Sequence, residues 1–209
     1  MVHRLHTSRT YSRCWEAYER SCSGDPDHEG RFRSLFRYLP PAAHILDLGC
    51  GSGLFGRLAL DDSSFRRITG CDFAPNMVRA ARARVPEGRF YCCDIRDFPY
   101  GSQRYEAIIA SFLIDHLTAR ELSLLLPKWS EALAENGLLY LSFTAHKKSG
   151  FFQPDFADSP IYFSSHGLEE TLHRMQSIGI AFLQLDTGIR WLDPFTPAKT
   201  YHLLGHSIN

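Results

Sequence analysis

The chain has 209 residues, of which 44% are hydrophobic and 22% charged, and its 23 basic residues balance its 23 acidic residues. This length is enough for one domain with a well-buried core, and two full domains would be hard to fit. The formal net charge of zero gives no electrostatic reason to expect a polyanionic partner, so the composition argues against nucleic acid.

The six cysteines show neither a CxxC pair nor the spacing of a metal site, and we interpret them as buried apolar thiols. No apolar run approaches the roughly 20 residues that are needed to span a bilayer. The N-terminus is basic, but the apolar stretch of a secretory leader does not follow it. We therefore expect a cytoplasmic protein without a metal site and without a membrane partner.

The N-terminal region is predicted to be helical at residues 11–20 and 28–38, and two prolines close it. From residue 44 onward strands and helices alternate, which is the pattern of a mostly parallel sheet with crossover helices. The predicted strands cover residues 44–48, 67–71, 89–92, 105–111, 138–144, 180–186 and 200–207. The predicted helices between them cover residues 55–59, 76–85, 118–134 and 166–178.

Several residues are expected to kink, cap or end these elements. Pro127 is expected to kink or split the third of the four helices, and Ser165 is expected to cap the fourth, which Gly179 ends. The last two strands follow each other through a loop or hairpin that contains two prolines. Together the elements predict an α/β fold in one domain, residues 1–209. We expect a Rossmann-like, doubly wound, seven-stranded sheet that is mostly parallel, has an antiparallel last strand and is flanked by helices.

Polar residues stand at the carboxyl ends of four predicted strands. They are Asp47 with Gly49, Gly51 and Gly53 at the first strand, Asp72 at the second, Asp94 at the third, and Ser111, Asp115 and His116 at the fourth. In an open α/β sheet, ligands bind beyond these strand ends, near the point where the strand order reverses. Each residue alone could be an ordinary turn residue, but their recurrence on successive strands predicts a shared ligand site.

The glycine-rich stretch ILDLGCGSGLFG, residues 45–56, indicates the kind of ligand. It contains GxGxxG, which alone is a weak indication of a dinucleotide. Asp72, at the end of the second strand, is placed to accept hydrogen bonds from the ribose of a dinucleotide or of an adenosyl ligand. Asp47 distinguishes the two, because a carboxylate repels a pyrophosphate but attracts an ammonium or sulfonium group.

The phrase DLGCGSG closely resembles motif I of the class I S-adenosylmethionine-dependent methyltransferases. GCDFAPNMVRAAR is similar to the second strand and following helix of that family, YCCDIRDFPY to its third-strand motif, and YEAIIASFLIDHL to its fourth strand. NGLLYLSF is similar to the fifth strand and YFSSHGLEETLHRMQSIGI to the late helix, so the resemblance covers most of the chain. It implies S-adenosylmethionine as cofactor and S-adenosylhomocysteine as its product.

The resemblance also implies cofactor-binding residues. The methionine portion would lie against the backbone at Gly49, Gly51 and Gly53, with Asp47 oriented towards its polar groups. Asp72 would accept hydrogen bonds from the ribose hydroxyls. The remaining contacts would come from Phe73, Met77, Asp94 and Ile95 around the adenine, and from Ser111 and Phe112 beside the methionine portion.

The N-terminal region, residues 1–40, resembles the aromatic lid that many small-molecule members of the family fold over the cofactor. Tyr11, Trp15 and Tyr18 are its candidate contacts, and Tyr18 is the best one. The alternative is an amphipathic packing element whose aromatic residues belong to the core.

The chemistry asked of such a site is modest. The sulfonium already activates the methyl group, so the protein mainly supplies positioning and desolvation, and a base where the acceptor must lose a proton. His116 is our first candidate for base or substrate contact, with a structural role under the sheet rim as the alternative. His146 is the second candidate base. Asp115 is a candidate substrate contact that could instead orient another group.

The segment at residues 145–166 is rich in aromatic residues and is predicted to be a substrate-binding insertion. Phe152 and Tyr162 are its candidate acceptor contacts, and Trp191 is a candidate for another wall of the site. The alternative is that these rings pack the segment onto the sheet.

The predicted function is transfer of a methyl group from S-adenosylmethionine to O, N or C of a small-molecule metabolite. Phe112 stands where metal-dependent O-methyltransferases of this fold carry an acid, which argues against a metal. Two alternatives stay open: a cofactor-binding protein without methyl transfer, serving as a scaffold or rearrangement catalyst, and a protein or RNA methyltransferase. A homodimer and a monomer are both compatible with these motifs.

Overall fold

A computed structural model describes residues 2–22, 26–101, 104–193 and 196–208. Its central feature is a seven-stranded sheet in the order β3-β2-β1-β4-β5-β9-β8. The strands are β1 (His44–Leu48), β2 (Arg67–Asp72), β3 (Arg89–Cys92), β4 (Tyr105–Ser111), β5 (Leu133–Thr144), β8 (Ile180–Asp193) and β9 (Thr196–Ser207). The first five pair in parallel, and β9 is antiparallel to both β5 and β8. The seven strands and the class of fold are thus confirmed.

Seven α-helices surround the sheet within the described residues. They are α1 (Val2–Arg13), α2 (Trp15–Cys22), α3 (Pro26–Phe36), α4 (Leu54–Asp62), α5 (Pro75–Arg84), α6 (Ala119–Ala132) and α7 (Leu168–Ser177). A 3₁₀ turn, Ile114–His116, follows β4, and a small hairpin of β6 (Gly150–Phe152) and β7 (Ile161–Phe163) lies between β5 and α7. None of the described helices is long and apolar enough to cross a bilayer.

Two hydrophobic clusters cover the two faces of the sheet, as a doubly wound fold requires. One joins α3, α4 and α5 to residues such as Ile45 and Ile109. The other joins α6 and α7 to residues such as Leu46 and Ile108. Successive residues of a strand point to opposite faces, so a parallel strand buried on both sides reads as a continuous apolar run.

The structure differs from the sequence-based prediction in local details. α6 runs unbroken through Pro127, and its buried face, which includes Leu122, Leu126 and Trp129, packs against the sheet. The cost of the proline to the helix is therefore offset by burial. Ser165 does not cap α7, whose N-cap is Gly167, because its hydroxyl donates to the carbonyl oxygen of His146 at 2.6 Å.

Other boundaries also move. Helix α1 begins at Val2 instead of residue 11, and the N-terminal helical stretch is broken at Cys14 before α2. The segment predicted as a loop after β5 contains the β6–β7 hairpin. The last two strands are longer than predicted and pair directly from Ile180 with Ser207 to Asp193 with Thr196.

The exposed and buried leucines of α6 provide a test of this packing. Leu126 is 1% exposed and Leu124 is 62% exposed on the same helix. Leu126→Ala should lower the free energy of unfolding by about 2–5 kcal/mol, because it leaves a cavity against the sheet. Leu124→Ala should change it by less than about 0.5 kcal/mol. Urea unfolding followed by circular dichroism measures both, and equal losses would contradict the burial of this face.

Candidate active site

A cleft lies at the carboxyl ends of β1, β2 and β4, where the strand order reverses. This is the position at which an open α/β sheet is expected to bind its ligand. The predicted cofactor residues that line it are Tyr18, Gly49, Gly51, Asp72, Phe73, Met77, Asp94, Ile95, Ser111 and Phe112. The structure therefore brings ten separately predicted residues to one cavity.

The turn after β1 presents bare backbone to this cleft. Gly49 and Gly51 have φ angles of 67° and 51°, which L side chains rarely adopt. A Cβ atom added at Gly51 would meet only the Met77 sulfur, at 4.0 Å, so that side of the turn is open. Gly53 has another role, because a Cβ there would lie 3.1 Å from Ala81 Cα. It allows α4 to pack closely on α5 and is not part of the cleft lining.

Asp47 lies below the turn and is only 3% exposed. It is not part of the cleft wall, and its Oδ2 has no hydrogen-bond partner among the described residues. Burial, and then the charge of Asp72, raise the pKa of Asp47 to about 8. An orphaned carboxyl oxygen next to an open glycine turn fits a ligand that brings a cationic or hydrogen-bond-donating group.

Asp72 ties the glycine turn to the start of α5. Its Oδ2 accepts the Gly51 N–H at 3.0 Å and its Oδ1 accepts the Ala74 N–H at 2.8 Å. Burial raises its pKa to about 6, although these backbone donors act in the opposite direction. Asp72 also lines the cleft, so the remaining lone pairs of its carboxyl group can accept hydrogen bonds from ligand hydroxyls.

Asp94 belongs to a network of two acids and two arginines. Both of its oxygens lie 2.7 Å from Nη1 of Arg96, and Arg96 Nε donates to Glu121 at 3.1 Å. Arg4 from α1 donates to the same Glu121 oxygen. Burial alone would raise the pKa of Glu121, but the Thr118 N–H and the two guanidinium groups outweigh it and lower that pKa to about 2.

The N-terminal helices are bonded to both sides of the cleft. On one side, the Ser8 hydroxyl donates to the Phe73 carbonyl oxygen at 2.7 Å, and Glu19 accepts hydrogen bonds from Ser52 and Arg84. On the other side, the Arg13 guanidinium pairs with Asp158 at 2.9 Å. Helix α1 thus bridges the cofactor half of the cleft and the segment before β7. A lid role for this region stays a proposal.

The residue that follows β4 is held in an unusual conformation. Phe112 has a φ angle of 52°, in the left-handed region, and its N–H donates to the Ser142 carbonyl oxygen at 3.0 Å. Bulky residues rarely adopt this conformation, and such residues cluster at functional sites. Here it turns the chain into the cleft floor, where Ser111 and Leu113 also lie.

The first candidate base, His116, lines the cleft. Its Nε2 lies 3.0 Å from the Tyr11 hydroxyl, and its Nδ1 lies 2.9 Å from the Tyr162 carbonyl oxygen. The ring thus joins α1 to β7. Tyr162 is also among the residues that line the cleft, while its ring packs against the exposed Phe151 at 5.6 Å. Its role as an acceptor contact stays a prediction.

Other candidate residues are placed differently. His146 is 7% exposed, stacks on Phe152 at 5.6 Å, and neither residue is part of the cleft lining. Asp115 reaches the cleft wall but is fully buried, and its carboxylate accepts the Thr144 N–H at 2.9 Å, which holds the end of β5. The side chain of Trp191 lies outside the described residues.

Some residues of the lining were not predicted from the sequence. They are Arg4, Thr7, Arg96, Leu113 and Leu117, whereas Phe163 belongs to the aromatic segment that was predicted to bind substrate. Arg96 could have been suspected from its position two residues after Asp94, but the sequence of α1 does not indicate which of its side chains face the cleft.

Comparisons with known proteins agree with this geometry. Residues 45–137 match a family model described as a methyltransferase domain. Trans-aconitate 2-methyltransferase from Variovorax paradoxus is 33% identical over 101 residues, which cover 48% of this chain and 38% of that protein. The dTDP-3-amino-3,6-dideoxy-alpha-D-glucopyranose N,N-dimethyltransferase from Streptomyces fradiae is 32% identical over 105 residues, covering 49% of this chain and 40% of that protein. The chain thus matches less than half the length of each relative.

Similarity to solved structures extends further along the chain. The crystal structure of an S-adenosylmethionine-dependent methyltransferase from Methanosarcina mazei aligns with a TM-score of 0.70 and 14% identity. The alignment covers 83% of this chain and 96% of the other. At this identity the likeness establishes the fold.

The buried Asp47 predicts a pH dependence of stability. An unfolded Asp ionises near pH 3.8, whereas Asp47 in the fold keeps its proton up to about pH 8. Its contribution to stability is therefore full below the lower value and is lost as the pH rises through the upper one. Asp47→Asn should flatten this dependence and raise the free energy of unfolding above pH 8 by about 1–3 kcal/mol.

Urea unfolding across this pH range measures the effect in the ligand-free protein. The exposed Asp61, replaced by Asn, is the matched control and should keep the pH dependence of the unchanged chain. An unchanged slope in Asp47→Asn would show that the Asp47 carboxyl is not held neutral.

Proposed function

We propose that this chain, a class I S-adenosylmethionine-dependent methyltransferase by its fold and its domain at residues 45–137, transfers a methyl group to a small-molecule metabolite. One observation carries the proposal: an open glycine turn, an orphaned buried carboxyl and the Asp72 carboxyl meet at the point where the strand order reverses. This combination suits an adenosyl ligand with a cationic end better than a pyrophosphate.

The cofactor would be held by residues on three strand ends. Asp72 would accept hydrogen bonds from the ribose hydroxyls, and the backbone at Gly49 and Gly51 would allow the methionine portion to approach closely. Phe73 and Met77 would pack against the adenine. When bound, S-adenosylmethionine supplies a methyl group on a sulfonium sulfur, already activated for transfer.

Asp94 would contact the adenine amine while it remains paired with Arg96. Both carboxylate oxygens already accept from that guanidinium, so an added donor would share them. A carboxylate has about four lone-pair positions and can accept several donors at once.

A small-molecule acceptor is supported by the relatives. Trans-aconitate and a dTDP-linked amino sugar stand in the names of the two relatives above, one a carboxylic acid and the other an amine. Residues of α1 and α2 line the cleft, and a lid formed by these helices would restrict access of a large polymer. His116 and Tyr162 would contact the acceptor.

Binding of S-adenosylhomocysteine tests the cofactor site. Isothermal titration calorimetry should detect binding, and Asp72→Ala should weaken it at least about thirtyfold, because charge-assisted hydrogen bonds to the ribose are lost. Asp72→Asn keeps the shape of the side chain and should also weaken binding. Asp61→Ala, on the exposed face of α4, is the control. Absence of binding by the unchanged chain at millimolar concentration would contradict the proposal.

Transfer itself is tested with S-adenosylmethionine that carries a radiolabelled methyl group. Incubation with a metabolite extract should give label in a small product, and Asp72→Ala should abolish that product. Label only in protein or RNA would favour a macromolecular acceptor instead. Binding of S-adenosylhomocysteine without any labelled product would favour a cofactor-binding protein that transfers no methyl group.

A further inference from the structure

The Tyr11 and His116 side chains form a hydrogen-bonded pair in the cleft. Both residues line the cleft, and the Tyr11 oxygen lies 3.0 Å from His116 Nε2. The other ring nitrogen, Nδ1, lies 2.9 Å from the Tyr162 carbonyl oxygen. The pair is therefore assembled from α1, the 3₁₀ turn and β7.

The Tyr162 carbonyl determines which atoms carry protons. A carbonyl oxygen only accepts hydrogen bonds, so Nδ1 of His116 must carry the hydrogen. In the neutral imidazole Nε2 is then a lone-pair acceptor, and the Tyr11 hydroxyl donates to it. The Tyr11 proton thus points to a base, while the phenol oxygen keeps lone pairs that can accept a further proton.

Neighbouring aromatic rings hold both side chains in place. The Tyr11 ring stacks on Phe156, with centroids 5.9 Å apart, and meets the edge of Tyr18 at 5.4 Å. The His116 ring packs on Phe163 at 5.0 Å. A catalytic group must be fixed in this way to act on a bound acceptor.

The charges of the cleft disfavour a carboxylate acceptor. Three carboxyl groups and two guanidinium groups line it. The guanidinium groups of Arg4 and Arg96 are bonded to Glu121, and Arg96 also to Asp94. The surroundings of an acceptor are therefore neutral to negative, which suits a hydroxyl or an amine better than an anion.

We propose that Tyr11 is a catalytic residue that takes a proton from a hydroxyl or amine acceptor, with His116 as the base behind it. As the acceptor atom forms its bond to the methyl carbon and the bond from that carbon to sulfur breaks, the acceptor proton moves to Tyr11 Oη. The Tyr11 proton moves to His116 Nε2. The positive charge leaves the sulfur and ends on the imidazolium, which later releases the proton to solvent.

This inference rests on the proposed function and narrows it to acceptors that carry a removable proton. It also gives α1 a chemical role, because the base is complete only when α1 lies over the cleft. Among the described contacts of the His116 ring, the ionisable side chain is Tyr11 from α1, and Asp115 precedes His116 in the same 3₁₀ turn with its carboxylate on the Thr144 N–H.

Nuclear magnetic resonance of the free protein with ¹⁵N-labelled histidine tests the pair without any acceptor. His116, assigned with His116→Gln, should show the tautomer with hydrogen on Nδ1. Tyr11→Phe should shift the Nε2 resonance, because the donor is lost, and Tyr38→Phe at an exposed site should leave it unchanged. Hydrogen on Nε2, or no response to Tyr11→Phe, would overturn the proposal.

Activity measurements test the catalytic step on a panel of small phenols, an amino sugar nucleotide and trans-aconitate. A phenol or amine should be methylated faster than trans-aconitate, and Tyr11→Phe should lower kcat by about 10²–10⁴-fold. KM should change far less. His116→Gln should remove the loss of kcat/KM on the acid side of the pH profile, because no imidazole remains to be protonated.

Three results would contradict the proposal: trans-aconitate as the preferred acceptor, full activity in Tyr11→Phe, or an acid limb that persists in His116→Gln. Failure of the proposed function would look different, because no member of the panel would be methylated and S-adenosylhomocysteine would not bind. The catalytic role of Tyr11 would then be excluded as well, whereas the resonance result would still report the hydrogen bond.

Discussion

The site depends on one carboxyl group that bonds two backbone N–H groups from different elements. Asp72 ends β2, and it holds both Gly51 in the turn after β1 and Ala74 at the start of α5. Parallel pairing of β1 with β2 brings the ends of these strands side by side, but it does not fix the loops beyond them. Asp72 does, because its two hydrogen bonds connect both loops to the end of β2.

Two carboxyl groups, those of Asp47 and Asp72, are buried at this turn. The pKa of Asp47 and that of Asp72 are both raised, chiefly by burial, which means that the ligand-free site disfavours their charged forms. A cation close to them would relieve this unfavourable state. The ligand-free fold already bears the cost of desolvating these two carboxyl groups. Relief of that cost would thus contribute part of the binding free energy.

The sequence predicted the strand ends well because they follow rules that act locally. Buried parallel strands read as apolar runs, and the polar residues that stop them must meet at one edge of the sheet. The contacts of long side chains follow no such rule. Arg4 in α1 and Arg96 in the loop after β3 both bond to Glu121 in α6, and only the assembled fold brings the three together. Ser165 illustrates the same limit, since a hydroxyl suited to a helix cap bonds a distant carbonyl instead.

Helix α1 would limit how quickly ligands can be exchanged if it acts as the lid that we propose. Its side chains and backbone are bonded to Phe73 and Asn76 on one side and to Asp158 and Ser159 on the other. Entry or release of a ligand past such a lid would require several of these bonds to open together. The upper limit on turnover would then be the frequency with which the helix lifts, and strengthening its anchors would slow the protein while making it more stable.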